Sequence, residues 1–402
     1  MIKSNSYTCI FGGGAVRGMA HIGAIRAIEE IGIYPQTLIG SSVGAIVAAL
    51  YAVGYNYDEI HDIFLNIKFD LFRDLHFGFK KNFAISKGEV FTDWVRELIE
   101  QKFYGENYQK NKNKPVTFAD LKKNLIITST DLSNFKYQEF SKSETPDFEI
   151  AVAVRVSSSM PGLMLPYDYN GARLVDGDLL KSCPLWELSK TVNNKNERIL
   201  EFRLEGNYDT EPKTLLDFVN EVYSCLTSVN TDKTINDYKD CDKIDIVKLH
   251  TGDVLIVDFN INREQREKLV NSGYEQTKKY FSETLVLKKE NLIVKYDYLL
   301  KLLNKLSDSV QKNDVVNSKV ILGDVFDLFC DFKEICDVNY YKDIKAYKTE
   351  LLNSVRTTFW GKKQFEDRAE LCRKLDKITD DLKHHINEMK SYLKSRSKKV
   401  KV

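Results

Sequence analysis

The sequence predicts an α/β layer fold with a mainly parallel central sheet over residues 1–284, followed by an all-α region over 285–402. Three observations carry this expectation. Short β-rich runs alternate with helical stretches in the first part, the pattern of a sheet covered by helices. Nine of the twenty glycines lie before residue 55, and the last proline is Pro212. Beyond residue 285 only Gly323 and Gly361 remain to punctuate the chain, so long helices are favoured there.

The elements follow in order. Tyr7–Phe11 is a short strand ending in Gly12-Gly13-Gly14, and Met19–Ile31 has a helical pattern. Thr37–Gly40 is a second strand, Val43–Val53 a second helix. Leu125–Thr130 and Ile199–Leu204 read as buried strands, with helical stretches at 88–101 and 213–229 between the flanking segments. In the last part, Tyr296, Leu299, Leu300, Leu303, Leu306 and Val310 form one apolar stripe at helical spacing. Leu322, Val325, Phe326, Phe329 and Phe332 form another. Leu371, Leu375, Ile378, Leu382, His385, Met389 and Tyr392 keep a heptad rhythm, which predicts helices packing on one another.

Composition narrows the class. Apolar residues at 43% and charged residues at 29% fit a folded globular chain and exclude a disordered or collagenous one. The formal charge of +1 offers no overall field for nucleic acid, and no nucleic-acid partner is expected. A local basic patch exists at 389–402 (MKSYLKSRSKKVKV), with six Lys or Arg and no acid. Seven cysteines, odd in number and without a C-x-x-C pair, predict reduced thiols in the cytoplasm and neither a disulfide framework nor a metal site. The N-terminus lacks the pattern of a secretory signal. Residues 31–57 are uncharged over 27 positions, long enough to raise a membrane span. Pro35, Gln36, Ser41, Ser42 and the glycines break that run, so a buried strand–turn–helix is the expected reading.

Chemistry concentrates at two turns. Gly40-Ser41-Ser42-Val43-Gly44 is a G-x-S-x-G sequence between a strand and a helix. A sharp turn there pushes Ser42 outward, while Gly40 and Gly44 let backbones pack closely. Gly12-Gly13-Gly14-Ala15-Val16-Arg17-Gly18 exposes consecutive N–H groups at a helix start. A Rossmann fingerprint would need glycine at Arg17, and a Walker loop would need lysine at Met19, so both nucleotide readings fail. An oxyanion hole is the remaining use. Of the six histidines, His21 reads as packed structure and His61 and His76 lie in a charged stretch; His250 alone is placed like a late triad histidine, with a strand-end surface residue as its structural alternative. His384 and His385 fall in the helical region. Asp176, in Val175-Asp176-Gly177-Asp178 after a turn, is the better proton acceptor for Ser42. Capping of a turn is its structural alternative.

These residues together resemble the patatin-like phospholipase family. Further segments match in order: Lys87-Gly88 with Trp94, Thr117–Leu121, Ser157–Gly162 with Pro166, and Asp258-Phe259 through Leu269 to Gly273-Tyr274. The resemblance covers residues 5–284 and implies a three-layer fold with a catalytic domain over 1–284. It implies Ser42 as nucleophile and Asp176 as its partner in a Ser–Asp dyad. Gly12, Gly13 and Gly14 would supply the oxyanion hole, with Arg17 shaping the loop, and no cofactor or metal would be needed. The activity implied is cleavage of fatty-acyl esters of phospholipids, of phospholipase A or lysophospholipase type. The chain departs from many members at Ala15, where a fourth glycine is common, and at Asp178, where glycine or alanine is common. Asp178 is expected either to raise the pKa of Asp176 or to point away. A patatin-fold protein with little activity, binding a partner through its helices, is the alternative reading. Residues 285–402 are open to three uses: holding a membrane surface through the basic tail, binding a protein or small-molecule activator, or ending as a solvated terminus.

Overall fold

A computed structural model describes residues 6–67, 84–181, 197–206, 243–256, 258–331, 338–358 and 361–399, with Phe218, Glu221, Val222 and Cys225 as isolated positions. His76, Cys183, Cys241, Phe332, Cys336, the rest of the 213–229 stretch and residues 400–402 lie outside the described residues.

The chain divides into two compact units, Met1–Asn236 with Asp245–Tyr280, and Asp237–Ile244 with Phe281–Val402. The first contains the central sheet. Strand β1 (Ser6–Phe11) lies between β2 (Thr37–Gly40) and β9 (Glu197–Glu205) and runs parallel to both. Beyond β2, β4 (Asn124–Asp131) continues the parallel set, and β10 (Ile244–His250) lies outside β9. Strand β4 then pairs antiparallel with β5 (Lys136–Ser141) and with β8 (Ala172–Asp176), and β8 pairs antiparallel with β7 (Tyr167–Tyr169). A separate two-stranded parallel sheet joins β3 (Ala84–Ser86) and β6 (Gly162–Met164).

The hydrophobic pattern explains this arrangement. Cys9, Ile10, Phe11, Leu38, Ile39, Leu200 and Phe202 are buried, as central parallel strands covered on both faces require. Helix α1 (Met19–Glu30) follows β1, and α2 (Val43–Val53) follows β2; nearly every side chain of α2 is buried. The uncharged run at 31–57 is therefore a core strand, a turn and a core helix. Among the described residues, no helix is long and apolar enough to cross a membrane. Helix α7 (Arg263–Lys279) lies across α1, with Gly23 against the Val270 carbonyl and Gly273 against the Ala20 carbonyl. A Cβ at either glycine would overlap the opposing backbone, which gives the Leu269–Gly273-Tyr274 segment its physical meaning.

The second unit is built from helices α8 (Leu285–Gln311), α9 (Val315–Asp331), α10 (Val338–Asn353) and α11 (Arg368–Lys399). Tyr296, Leu299, Leu303, Leu306 and Val310 share one apolar core with Leu322, Val325, Ile344, Leu351, Leu371, Leu375, Ile378, Leu382 and Met389. In the heptad seam, Ile386 takes the core place expected of His385, whose ring stands edge-on to Tyr296 at 5.6 Å. A short hairpin, β11 (Val355–Thr357) with β12 (Lys363–Phe365), interrupts the helices. Gly361 serves its turn at φ 75°, so the glycine that stood out in a glycine-poor region marks a turn and not a helix.

Candidate active site

Ser42 sits between β2 and α2 with φ 53° and ψ −124°, a conformation that costs a side-chain-bearing residue about 1–3 kcal/mol. The flanking glycines make room for it. A Cβ on Gly40 would meet the Ala45 Cα at 2.5 Å, and one on Gly44 would overlap the carbonyls of Phe11 and Gly12. The turn therefore clasps the start of α2 against the end of β1. Ser42 Oγ donates to Asp176 Oδ2 at 2.7 Å, across 134 residues of sequence. Both groups are buried, Ser42 at 8% exposure and Asp176 at 1%.

The end of α5 (Ile150–Ser157) and the two serines after it hold both partners, a role the sequence did not reveal. Ser157 Oγ accepts the Ser42 N–H at 2.9 Å, and Ser158 Oγ donates to the Ser42 carbonyl at 3.4 Å. On the other side, the Asp176 N–H donates to the Ser159 carbonyl at 3.0 Å and the Gly177 N–H to the Ser157 carbonyl at 3.3 Å. Arg155 steadies the segment by donating to Ser159 Oγ (3.1 Å) and the Lys87 carbonyl (2.7 Å). The only sequence signal was the run of three serines before Met160-Pro161. Gly177 also has a steric reason: a Cβ there would press on Thr128 Oγ1 and on Ser41 Oγ, the latter at 2.6 Å.

The glycine loop lies over this pair. A Cβ on Gly13 would come within 2.8 Å of Ser42 Cβ, so the loop backbone directly faces the serine. The Gly12 N–H continues the sheet by donating to the Phe202 carbonyl at 3.2 Å. Gly12 thus contributes to the loop through its carbonyl, which His21 Nε2 binds at 2.7 Å. Gly14 has φ 146° and Ala15 φ 44°. Ala15 occupies left-handed backbone and bears the strain that glycine would avoid. Arg17 Nε donates to the Val254 carbonyl at 2.6 Å, and its guanidinium packs on Gly206, fixing the loop from outside.

The histidines sort themselves by contact. His21 is fully buried, with no partner for Nδ1 among the described residues and the ring edge-on to Phe11; burial pushes its pKa down to about 4, so the imidazole is neutral. His61 bonds Glu267 at 3.1 Å and stacks on Tyr57. His250 lies at the end of β10 beside Glu205, largely exposed, and His384 pairs with Glu388 on the surface of α11. The group hydrogen-bonded to Ser42 is the Asp176 carboxylate. Asp178 does not point away: its carboxyl folds back over Gly13, and it is Asp178 whose pKa rises. Among the described residues, no group of three or more His, Cys, Asp or Glu is placed to hold a metal ion. Cys9, Cys225 and Cys372 carry free thiols.

The fold and the site together define an α/β protein with a serine on a strand–helix turn and a carboxylate as its partner. The profile of the family described as patatin-like phospholipase matches residues 9–189. The chain is 31% identical over 284 residues to the uncharacterized protein R571 of Acanthamoeba polyphaga mimivirus, covering 66% of this chain and 90% of that protein. It is 26% identical over 201 residues to the lysophospholipase NTE1 of Debaryomyces hansenii, covering 47% of this chain and 11% of that much longer protein. The crystal structure of VipD from Legionella pneumophila shares the fold, with a TM-score of 0.53, 16% identity, and coverage of 95% of this chain and 88% of that one. The chain belongs to the patatin-like phospholipase family.

Proposed function

We propose that this protein is a serine lipid acyl hydrolase of phospholipase A or lysophospholipase type. The family and the NTE1 relative support hydrolysis of lipids. The hydrogen bond from Ser42 Oγ to Asp176 Oδ2 is the observation that carries the mechanism. Asp176 takes the Ser42 proton as Oγ attacks the fatty-acyl ester carbonyl. Gly13 and Gly14 N–H groups hold the resulting oxyanion, a contribution of roughly 10²–10³ in rate per donor. The proton on Asp176 passes to the leaving alcohol, which departs as the lysolipid. Water then gives a proton to Asp176 and attacks the acyl-serine, and Ser42 recovers its proton as the fatty acid leaves.

The proposed setting is cytoplasmic, with the substrate presented at a phospholipid membrane surface. Residues 285–402 are proposed to receive a protein or small-molecule activator or, through the basic tail, the membrane. The intact Ser42–Asp176 hydrogen bond speaks against a binding-only protein. Full-length Ser42→Ala and Asp176→Asn are expected to keep their circular dichroism and lose fatty-acid release from phospholipid vesicles by roughly 10⁴-fold or more. Unchanged turnover in Ser42→Ala sinks the mechanism. Binding to anionic vesicles that is equal for the full chain and a chain ending at residue 388 rejects the tail as the membrane contact.

A further inference from the structure

The acyl-transfer steps leave one carboxyl of this site unused. Asp178 lies two residues beyond Asp176 and is 4% exposed. Its backbone N–H donates to Asp176 Oδ1 at 2.9 Å, while its side chain turns over the glycine loop. Oδ2 occupies the place a Gly13 Cβ would take, and Ser42 Cβ borders the same place. A carboxyl oxygen therefore fills the space in front of Gly13, beside the nucleophile.

The charged and polar groups around Asp178 pull in opposite directions. The Gly13 N–H from the loop, Ser41 from the serine turn and Arg203 from β9 favour its ionised form. Arg203 is itself buried against Glu201 of the same strand, which offsets part of that help. Burial and the neighbouring Asp176 of β8 oppose ionisation more strongly, and push the Asp178 carboxyl up to about 7. Two carboxyls sharing a buried site do not ionise together easily. Asp176 is the better anion, because a hydroxyl reaches one oxygen and an amide the other. Asp178 Oδ1 has no hydrogen-bond partner among the described residues, so Asp178 is the member of the pair that takes up a proton first as pH falls.

We infer that Asp178 is a positioning residue of the acyl-transfer site that acts through Gly13. As a neutral acid it holds the Gly13 N–H weakly and yields it to the oxyanion; as an anion it holds that N–H strongly and repels the oxyanion. The proton it loses goes to solvent, and no bond to substrate forms or breaks at Asp178. The consequence is a site that works on the acid side of its titration and closes on the alkaline side. The inference rests on the acyl-hydrolase reading above.

The test is the pH dependence of hydrolysis of a soluble short-chain ester between pH 5.5 and 9. It uses the full chain as wild type, Asp178→Asn and Asp178→Gly, each corrected by Ser42→Ala. Wild-type kcat is expected to fall by roughly tenfold per pH unit on the alkaline side, with KM little changed. In Asp178→Asn, which keeps the shape but cannot ionise, that fall is absent, and the variant exceeds wild type by tenfold or more at pH 9. Asp178→Gly empties the space and is expected to lose the alkaline fall as well. Profiles of Asp178→Asn and wild type that superimpose overturn the inference. A flat wild-type profile from pH 6 to 9 overturns it without any variant, whatever the variants do to folding. Absence of Ser42-dependent turnover at every pH brings down the acyl-hydrolase reading and this inference with it. Ser42-dependent turnover with identical profiles brings down the inference alone.

Discussion

The glycines of the two units are used differently. In the α/β unit several stand where one backbone touches another: Gly44 on the carbonyls of Phe11 and Gly12, Gly23 on Val270, Gly273 on Ala20; others, such as Gly32 and Gly171, serve open turns. In the helical unit, a Cβ on Gly323 or Gly361 would meet nothing within 4 Å. Buried charge divides in a similar way, with Lys289 the buried charged residue of the helical unit among the described residues. The α/β unit encloses Arg17, His21, Asp176, Asp178, Glu201 and Arg203, whereas the helical core is mainly leucine, isoleucine, valine and tyrosine, with a few buried hydroxyls such as Ser318 and Thr379 beside it. The first unit is therefore specified by close approach and by charge, and a single added carbon disturbs it. The second is specified by apolar volume, and it is sensitive to what is removed.

The strongest way to break this contrast is to add one methyl group to the α/β unit. Gly44→Ala places Cβ on the Phe11 and Gly12 carbonyls, and neither backbone can yield without pulling β1 from the sheet. A loss of about 3 kcal/mol or more is expected, the upper end for overpacking, read as a lowered urea midpoint and lost hydrolysis. A Gly44→Ala chain as stable as wild type would show that the turn is looser than its contacts indicate. The matching test in the helical unit is a deletion. Leu303 is fully buried, and Leu303→Ala is expected to cost roughly 2–5 kcal/mol, measured by hydrogen exchange of amides in α8 and α11.

The same contrast explains what could be read in advance. Strands β1 and β2 and helices α1 and α2 were legible because their signals are local: an uncharged run and glycines at its turns. The helical stripes were legible through their period. Ser42 and Asp176 each stood in a recognisable turn, yet their pairing is a contact between residues 134 positions apart; the want of a well-placed histidine suggested it and the family pattern joined them. Ser157 was not legible as the acceptor of the Ser42 N–H, because nothing local tells one hydroxyl in Ser157-Ser158-Ser159 from the next. Asp178 was visible as an oddity, but its direction depends on a loop 165 residues earlier, at Gly13. The β11–β12 hairpin escaped because its strands are three residues each, too short to establish a period.

Buried charge makes the α/β unit sensitive to pH through His21. Its folded pKa is held near 4 by burial, below the ordinary value of 6.5. Between these values an unfolded chain binds a proton that the native chain does not, so stability is complete above pH 6.5 and is lost as pH falls toward 4. The loss is at most on the order of 3 kcal/mol. Urea midpoints at pH 7 and 4.5 are expected to differ in wild type, and His21→Gln, which titrates no proton, is expected to reduce that difference. An equal pH response in His21→Gln would assign the acid sensitivity to other groups.

The smallest effect is the one that reverses sign. Gly323 lies on the exposed face of α9, in the helix interior, with open space where its side chain would be. Gly323→Ala restricts the unfolded chain and adds no clash, so it is expected to stabilise the helix by about 0.5–1 kcal/mol. Slower hydrogen exchange of the α9 amides, by roughly two- to fivefold, is the corresponding reading. Placed beside Gly44→Ala, it is the same chemical change, one carbon added to a glycine, with opposite outcome. If Gly323→Ala proves as damaging as Gly44→Ala, the exposed face of α9 is covered by something, and the helical unit is held by close approach in the way the α/β unit is.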